Sequence, residues 1–225
     1  MKPLITTLIL VFITFPIVGR CQYQVQGTVI IHIQGKKKLL GRDTEYGAFQ
    51  SKVGSTLDSP LLEADNNMII SLHPLDFTPT ISPTQNAFIT QVNQRFIPQV
   101  LPVMVGSVVY FLNEDNEYHN VYSRTPKSSF NIGRRSPGNT YPQKIRKPGL
   151  ITISCDIHAH MNAVILSLET PYFSRVQTDG TFKVEGLPSG RYRAELFHKK
   201  YGTQIKEITI DQENIILTYE LHEKS

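Results

Sequence analysis

The chain has 225 residues, with 23 Lys plus Arg against 19 Asp plus Glu and a formal net charge of +4. Lys2 and Arg20 belong to the N-terminal leader, and taking those two charges from +4 leaves +2. The other basic clusters, Lys36-Lys-Lys38, Arg134-Arg135 and Lys199-Lys200, are scattered with little aromatic interleaving, which excludes a nucleic-acid-binding stripe.

Residues Leu4 to Val18 form an apolar run after Lys2, followed by Gly19-Arg20-Cys21. This pattern predicts a secretory signal peptide over 1–21, cleaved near Gly19 to Cys21. The run is short for a membrane span, which needs about 20 residues. An uncleaved anchor is the rival reading. Lipidation of Cys21 is disfavoured, because Arg20 stands where a lipoprotein signal needs a small residue. The expected location is therefore the periplasm or another exported compartment, with no integral span after leader removal. Loss of Cys21 leaves Cys155 as a single thiol, so no internal disulfide forms. A lone thiol in an oxidising compartment is either buried or bound to something.

After residue 22 no segment shows helical spacing. Short alternating or β-branched runs dominate: Thr28 to Ile33, Met68 to Leu72, Ser107 to Leu112, Leu150 to Ser154, Ala163 to Leu168, Gln204 to Ile210 and Ile215 to Tyr219. Asp179-Gly180, Pro188-Ser-Gly190, Pro137-Gly138 and Pro148-Gly149 punctuate them as turns. Glu45 to Ala64 has weak periodicity and reads as a surface loop. The expected fold class is all-β, built as sandwiches. The Pro/Thr-rich stretch Thr78 to Thr84 and the segment Glu169-Thr-Pro171 mark the expected boundaries. The expected organisation is thus a central piece over 79–170, with 22–78 and 171–225 as a second small sandwich split around it.

The outer pieces carry Val25-Gln-Gly-Thr-Val29 and the run Asp179-Gly-Thr-Phe182 to Gly186-Leu-Pro-Ser-Gly-Arg-Tyr192. These residues resemble the carboxypeptidase-regulatory-like, transthyretin-like β-sandwich family.

The central piece carries the chemistry. Cys155, His158 and Met161 follow one another at three-residue intervals between two apolar runs, with His160 among them. A thiolate, an imidazole and a thioether are soft donors suited to copper that changes oxidation state. A second imidazole must come from elsewhere, and Asn113-Glu-Asp-Asn-Glu-Tyr-His119-Asn120-Val121 offers it. Zinc is the rival metal but has less use for a thioether. Asp115 and Glu114 read as solvated carboxylates in a polar turn, and Tyr118 as a neighbour able to flank the metal. His32, His73, His198 and His222 lack ligand spacing. No Gly-rich phosphate loop, G-x-S-x-G or H-E-x-x-H is present, so a non-enzymatic role is expected.

From about Asn86 to Leu168 these residues resemble the cupredoxins, the plastocyanin-like blue-copper proteins with a Greek-key β-sandwich. The resemblance implies one mononuclear copper ion held by His119, Cys155, His158 and an axial Met161. It implies that Asn120 pins the cysteine loop, that a redox protein such as a cytochrome or an oxidoreductase is the partner, and that the electron leaves through the exposed edge of His158. One departure stands out. The loop reads C-x2-H-x2-M where plastocyanin-like loops read C-x2-H-x4-M, which brings His160 into reach as a substitute ligand or an exposed rim residue. The ending is similar to the binuclear copper loop of cytochrome oxidase subunit II, but that centre needs two cysteines. The leading expectation is an exported one-electron carrier. A copper chaperone or store built on the same residues, and an envelope interaction module with a vestigial site, are the alternatives.

Overall fold

The computed structural model describes residues 22–33, 36–39 and 67–222. The leader over 1–21, with Cys21, and the loop expected over Glu45 to Ala64 lie outside the described residues. So does the side chain of His32.

Among the described residues every regular element is a strand. In chain order these are β1 (Tyr23–Ile33), β2 (Lys36–Leu39), β3 (Met68–Pro74), β4 (Ala87–Val92), β5 (Arg95–Ile97), β6 (Val100–Met104), β7 (Val108–Asn113), β8 (His119–Ser123), β9 (Phe130–Arg135), β10 (Thr140–Lys144), β11 (Gly149–Ser154), β12 (Asn162–Leu168), β13 (Phe173–Arg175), β14 (Thr181–Leu187), β15 (Gly190–His198), β16 (Gly202–Ile210) and β17 (Ile215–His222). No helix of the described residues is long and apolar enough to cross a membrane.

The fold is all-β, and strands from both ends of the chain share sheets. One sheet runs β14-β1-β17, with β2 beside β1; it faces another that runs β13-β3-β15-β16. β1 is antiparallel to β14 and parallel to β17, with Gly27 opposite Phe182 on one side and Leu217 on the other. The alternation of β17 and β14 explains their one-sided burial: Leu217, Tyr219 and Leu221 point in, as do Phe182 and Val184. Val25, Val29, Ile70, Leu72 and Leu196 complete this core. Gly27 is dictated by backbone approach. A Cβ there would lie 1.9 Å from the Leu217 carbonyl oxygen and 2.7 Å from Phe182 Cζ. Fully buried Tyr192 donates its hydroxyl to Pro188 O at 2.7 Å, four residues upstream. That bond closes the turn between β14 and β15, and burial raises the phenol well above its ordinary value.

The central sandwich stacks sheet β10-β7-β4-β5 on sheet β6-β12-β11-β8-β9. Ile89, Phe96, Val109, Phe111, Val121, Ile151, Ile153, Ala163 and Ile165 fill the space between. Burying each Val, Ile or Phe side chain among them contributes about 1.5–3 kcal/mol. β12 reads as a near-continuous apolar run because both its faces are covered. Ala163 and Ile165 enter the central core, while Val164 and Leu166 pack with Ile69, Val100, Phe173 and Phe197 against the outer strands. Polar contacts reinforce this seam. Arg175 Nη2 donates to Val100 O at 2.6 Å, and Lys199 Nζ donates to Asn162 Oδ1 at 2.6 Å. Fully buried Thr170 ties the chain as it leaves the central sandwich, donating Oγ1 to Leu72 O at 2.6 Å.

Candidate metal centre

Three donors from two distant segments meet at one end of the central sandwich. One nitrogen of His119, one of His158 and the Cys155 sulfur lie within 4.8 Å of one another. His119 opens β8, and Cys155 and His158 lie on the turn between β11 and β12. The turn is held by its own backbone. Cys155 N donates to Met161 O at 3.2 Å, and Met161 N donates to His158 O at 3.0 Å. β11 and β12 run in register from Gly149↔Ser167 to Ser154↔Asn162, so the loop can only begin at Cys155 and end at Met161.

His119 is fully buried and Cys155 nearly so, a free thiol in the apolar core. The sulfur accepts the backbone N–H of Ile157 at 3.4 Å. Met161 is 1 % exposed and packs in the same apolar cluster as Cys155. His160 is exposed and stays outside the three-donor cluster, its ring 6.1 Å from that of His158. Asn120 is buried beside His119, but its Oδ1 has no hydrogen-bond partner. Among the described residues no hydrogen bond links Asn120 Oδ1 to the cysteine loop. The residue instead lines a groove of about 350 Å³ with Tyr122, Arg124, Phe130 and Asp156. Tyr118 is 60 % exposed next to His119.

The loop joining β7 to β8 does more than the sequence indicates. Asp115 is not a solvated carboxylate: its Oδ2 takes His119 Nε2 at 2.8 Å, with the Asp115 side chain only 13 % exposed. Glu117 Oε2 lies 3.1 Å from His158 Nε2. Each carboxylate faces the far nitrogen of one ring, so both Nδ1 atoms point inward, 3.1 Å apart. Glu114, by contrast, is exposed as expected. Asp115 is itself held by the turn between β4 and β5. Asn93 N and Gln94 N donate to its two oxygens at 2.5 and 2.9 Å, and both residues have positive φ, 52° and 54°. Two successive left-handed residues present adjacent N–H groups as an anion cradle. Burial pushes the Asp115 carboxyl up, but the Gln94 N–H, the His119 ring and the Asn93 N–H outweigh it and hold the group below its ordinary value. Fully buried Asn113 fixes the loop from within, donating Nδ2 to Glu117 O at 2.8 Å and accepting Asp115 N at 3.1 Å.

These residues fit a metal ion. Two lone pairs at 3.1 Å repel each other unless a proton or a cation lies between them. Two nitrogens about 2.0–2.1 Å from one ion, at a near-tetrahedral angle, stand about 3.3 Å apart. The donor set, two imidazoles and a buried thiol, is that of copper or zinc sites. A second cluster, by contrast, has no relay geometry. Ser71 Oγ and Glu195 Oε2 both approach the same nitrogen, Nε2 of His73, at 3.0 and 3.8 Å, whereas a hydrolytic triad needs opposite nitrogens.

No family model matches this chain, and no curated protein matches it. Solved structures do. A purple cupredoxin from Nitrosopumilus maritimus is 19 % identical, with 37 % of this chain and 100 % of that one covered and a TM-score of 0.34. A reduced amicyanin mutant is 17 % identical over 44 % of this chain and 99 % of that one, at a TM-score of 0.35. The copper-containing nitrite reductase of Thermus scotoductus is 24 % identical over 52 % of this chain and 28 % of that one, at 0.37.

Proposed function

We propose that this chain is an exported, cupredoxin-type copper protein that carries single electrons between redox proteins outside the cytoplasm. The observation that carries the reading is the approach of His119 Nδ1 to His158 Nδ1 at 3.1 Å, with the Cys155 sulfur beside them. Export rests on the apolar leader that precedes Cys21. The outer strands, over 22–78 and 171–225, form in this reading a flanking carboxypeptidase-regulatory-like unit that braces the copper-binding piece over 79–170.

His119, Cys155 and His158 would hold one copper ion, with buried Met161 rather than exposed His160 as the fourth, weaker donor. Copper bound there would supply a one-electron couple between a reduced and an oxidised protein partner. The chain's part is to keep the donors still. Both imidazoles are clamped at Nε2 by carboxylates, and Cys155 and His158 share one short loop between paired strands. Donors that do not move between oxidation states keep the reorganisation small. Burial of His119 and Cys155 favours a carrier over a chaperone, which must surrender its metal to a partner.

The copper-loaded chain is expected to show an intense visible band from sulfur-to-copper charge transfer, absent in Cys155→Ser. Absorption and paramagnetic-resonance spectra make the test. A colourless Cu(II)-loaded protein, or an unchanged band in Cys155→Ser, overturns the reading.

A further inference from the structure

The edge of His158 expected to be open to solvent is narrow and faces a carboxylate. The side chain is 16 % exposed, and its Nε2 faces Glu117 Oε2 at 3.1 Å. Glu117 is not a casual surface neighbour. Its backbone carbonyl is held by buried Asn113 Nδ2 at 2.8 Å, and its carboxylate is braced from the β4–β5 turn, where Gln94 Nε2 lies 3.3 Å from each oxygen. Gln94 is the residue whose backbone N–H also holds Asp115 on His119. One two-residue turn therefore supports the carboxylates on both imidazoles.

Resting on the copper reading, we propose that Glu117 is a positioning residue with two separable actions. Its carboxylate accepts the Nε2–H of His158, which fixes the ring with Nδ1 inward. Its negative charge also favours the more positively charged Cu(II) state over Cu(I), and so lowers the reduction potential. A carboxylate on a ligand imidazole raises its basicity, and loss of such a partner typically costs about 10–100-fold in metal affinity. The Glu117 side chain is 55 % exposed, so the low end of that range applies.

The test uses the copper-loaded chain with Glu117→Gln, Glu117→Ala and a remote charge control, Glu207→Gln on β16. Glu117→Gln keeps an oxygen for His158 but removes the charge; Glu117→Ala removes both. Voltammetry and competition with Cu(I) and Cu(II) chelators are the readouts. Both Glu117 variants are expected to keep the intense band. Their balance between the two oxidation states shifts about tenfold toward Cu(I), which is 59 mV upward for one electron. Glu117→Ala additionally loses Cu(II) about threefold further than Glu117→Gln, because the ring is no longer held. The shift in Glu117→Gln narrows in about 1 M salt, where the Debye length falls to about 3 Å. A balance within twofold of the unaltered chain in both Glu117 variants overturns the proposal, as does an equal shift in Glu207→Gln. A unaltered chain that shows no band with copper overturns the copper reading itself, and is recognised before any variant is made.

Discussion

Tyr192 and His119 are both fully buried polar side chains, one in each sandwich, and they are satisfied in opposite ways. Tyr192 spends its one donor on Pro188 O, inside its own turn. His119 gives Nε2 to Asp115 and turns Nδ1 toward the matching nitrogen of His158 at 3.1 Å, a contact that a proton or a cation between the two nitrogens satisfies. Cys155 and Met161 sit beside it in what is otherwise an ordinary apolar core. A buried polar group closed on the chain's own backbone maintains a fold. A buried imidazole nitrogen aimed at another imidazole nitrogen leaves a place that a proton or a cation can fill.

The sharpest way to break this comparison is to damage each sandwich separately. Cys155→Ser removes the band at a small cost in metal-free unfolding, about 1 kcal/mol, since a hydroxyl replaces a thiol in the apolar core. Gly27→Ala does the reverse. Its Cβ meets the Leu217 carbonyl oxygen, so β1 and β17 must separate, at a cost of about 3 kcal/mol in urea unfolding. Copper bound to the folded fraction of Gly27→Ala should keep its band position, and a shifted band would mean that the outer strands shape the centre directly.

A smaller change probes the seam between the two. Lys199 Nζ donates to Asn162 Oδ1 at 2.6 Å and to Asn162 O at 3.2 Å, while Asn162 Nδ2 donates to His160 O at 2.8 Å. Asn162 directly follows Met161, so an outer-sandwich lysine grips the end of the ligand loop. Lys199→Met should lower stability by about 1 kcal/mol and speed copper loss to a strong chelator about threefold. An unchanged loss rate would separate the seam from the centre.

The smallest expected effect lies on the outer sheet. Burial holds His73 below its ordinary pKa, against the pull of Glu195 in the other direction. A folded-state value below the unfolded 6.5 means that the unfolded chain binds the proton more readily. The stabilising contribution is therefore complete above that pH and is lost as the pH falls through it toward the folded value. Between about pH 7.5 and 5.5 the melting temperature of the unaltered chain should fall more than that of His73→Gln, at equal copper content. Equal slopes would show that His73 is solvated like a surface histidine.

Much of the fold was legible because it depends on local rules. Alternation in β14 and β17, and near-continuous apolar runs in β3 and β12, each interrupted by one serine, follow from whether one face or both are covered. The spacing of Cys155, His158 and Met161 was legible because the three lie on one turn. Asp115 and Glu117 were not. Their role depends on where Asn93 and Gln94 sit, more than twenty residues away, and no spacing rule links a polar turn to the imidazoles it will face. The run of acidic residues just before His119 was the only signal, and it reads equally well as a solvated loop. Asn120 shows the reverse case: the cupredoxin resemblance implies a hydrogen bond to the cysteine loop, whereas its Oδ1 is buried without a partner beside the bulge between Asn120 and Tyr122 in the pairing of β8 with β9.

The order of residues alone determined an all-β chain and one loop able to offer a soft sulfur, an imidazole and a thioether. Only the packed sheets decided that His119 would arrive opposite that loop, and that two carboxylates would stand behind the rings. The reason is physical: strand periodicity is written in neighbouring side chains, whereas the meeting of β8 with the β11–β12 turn is fixed by cross-strand pairing between segments far apart in the chain.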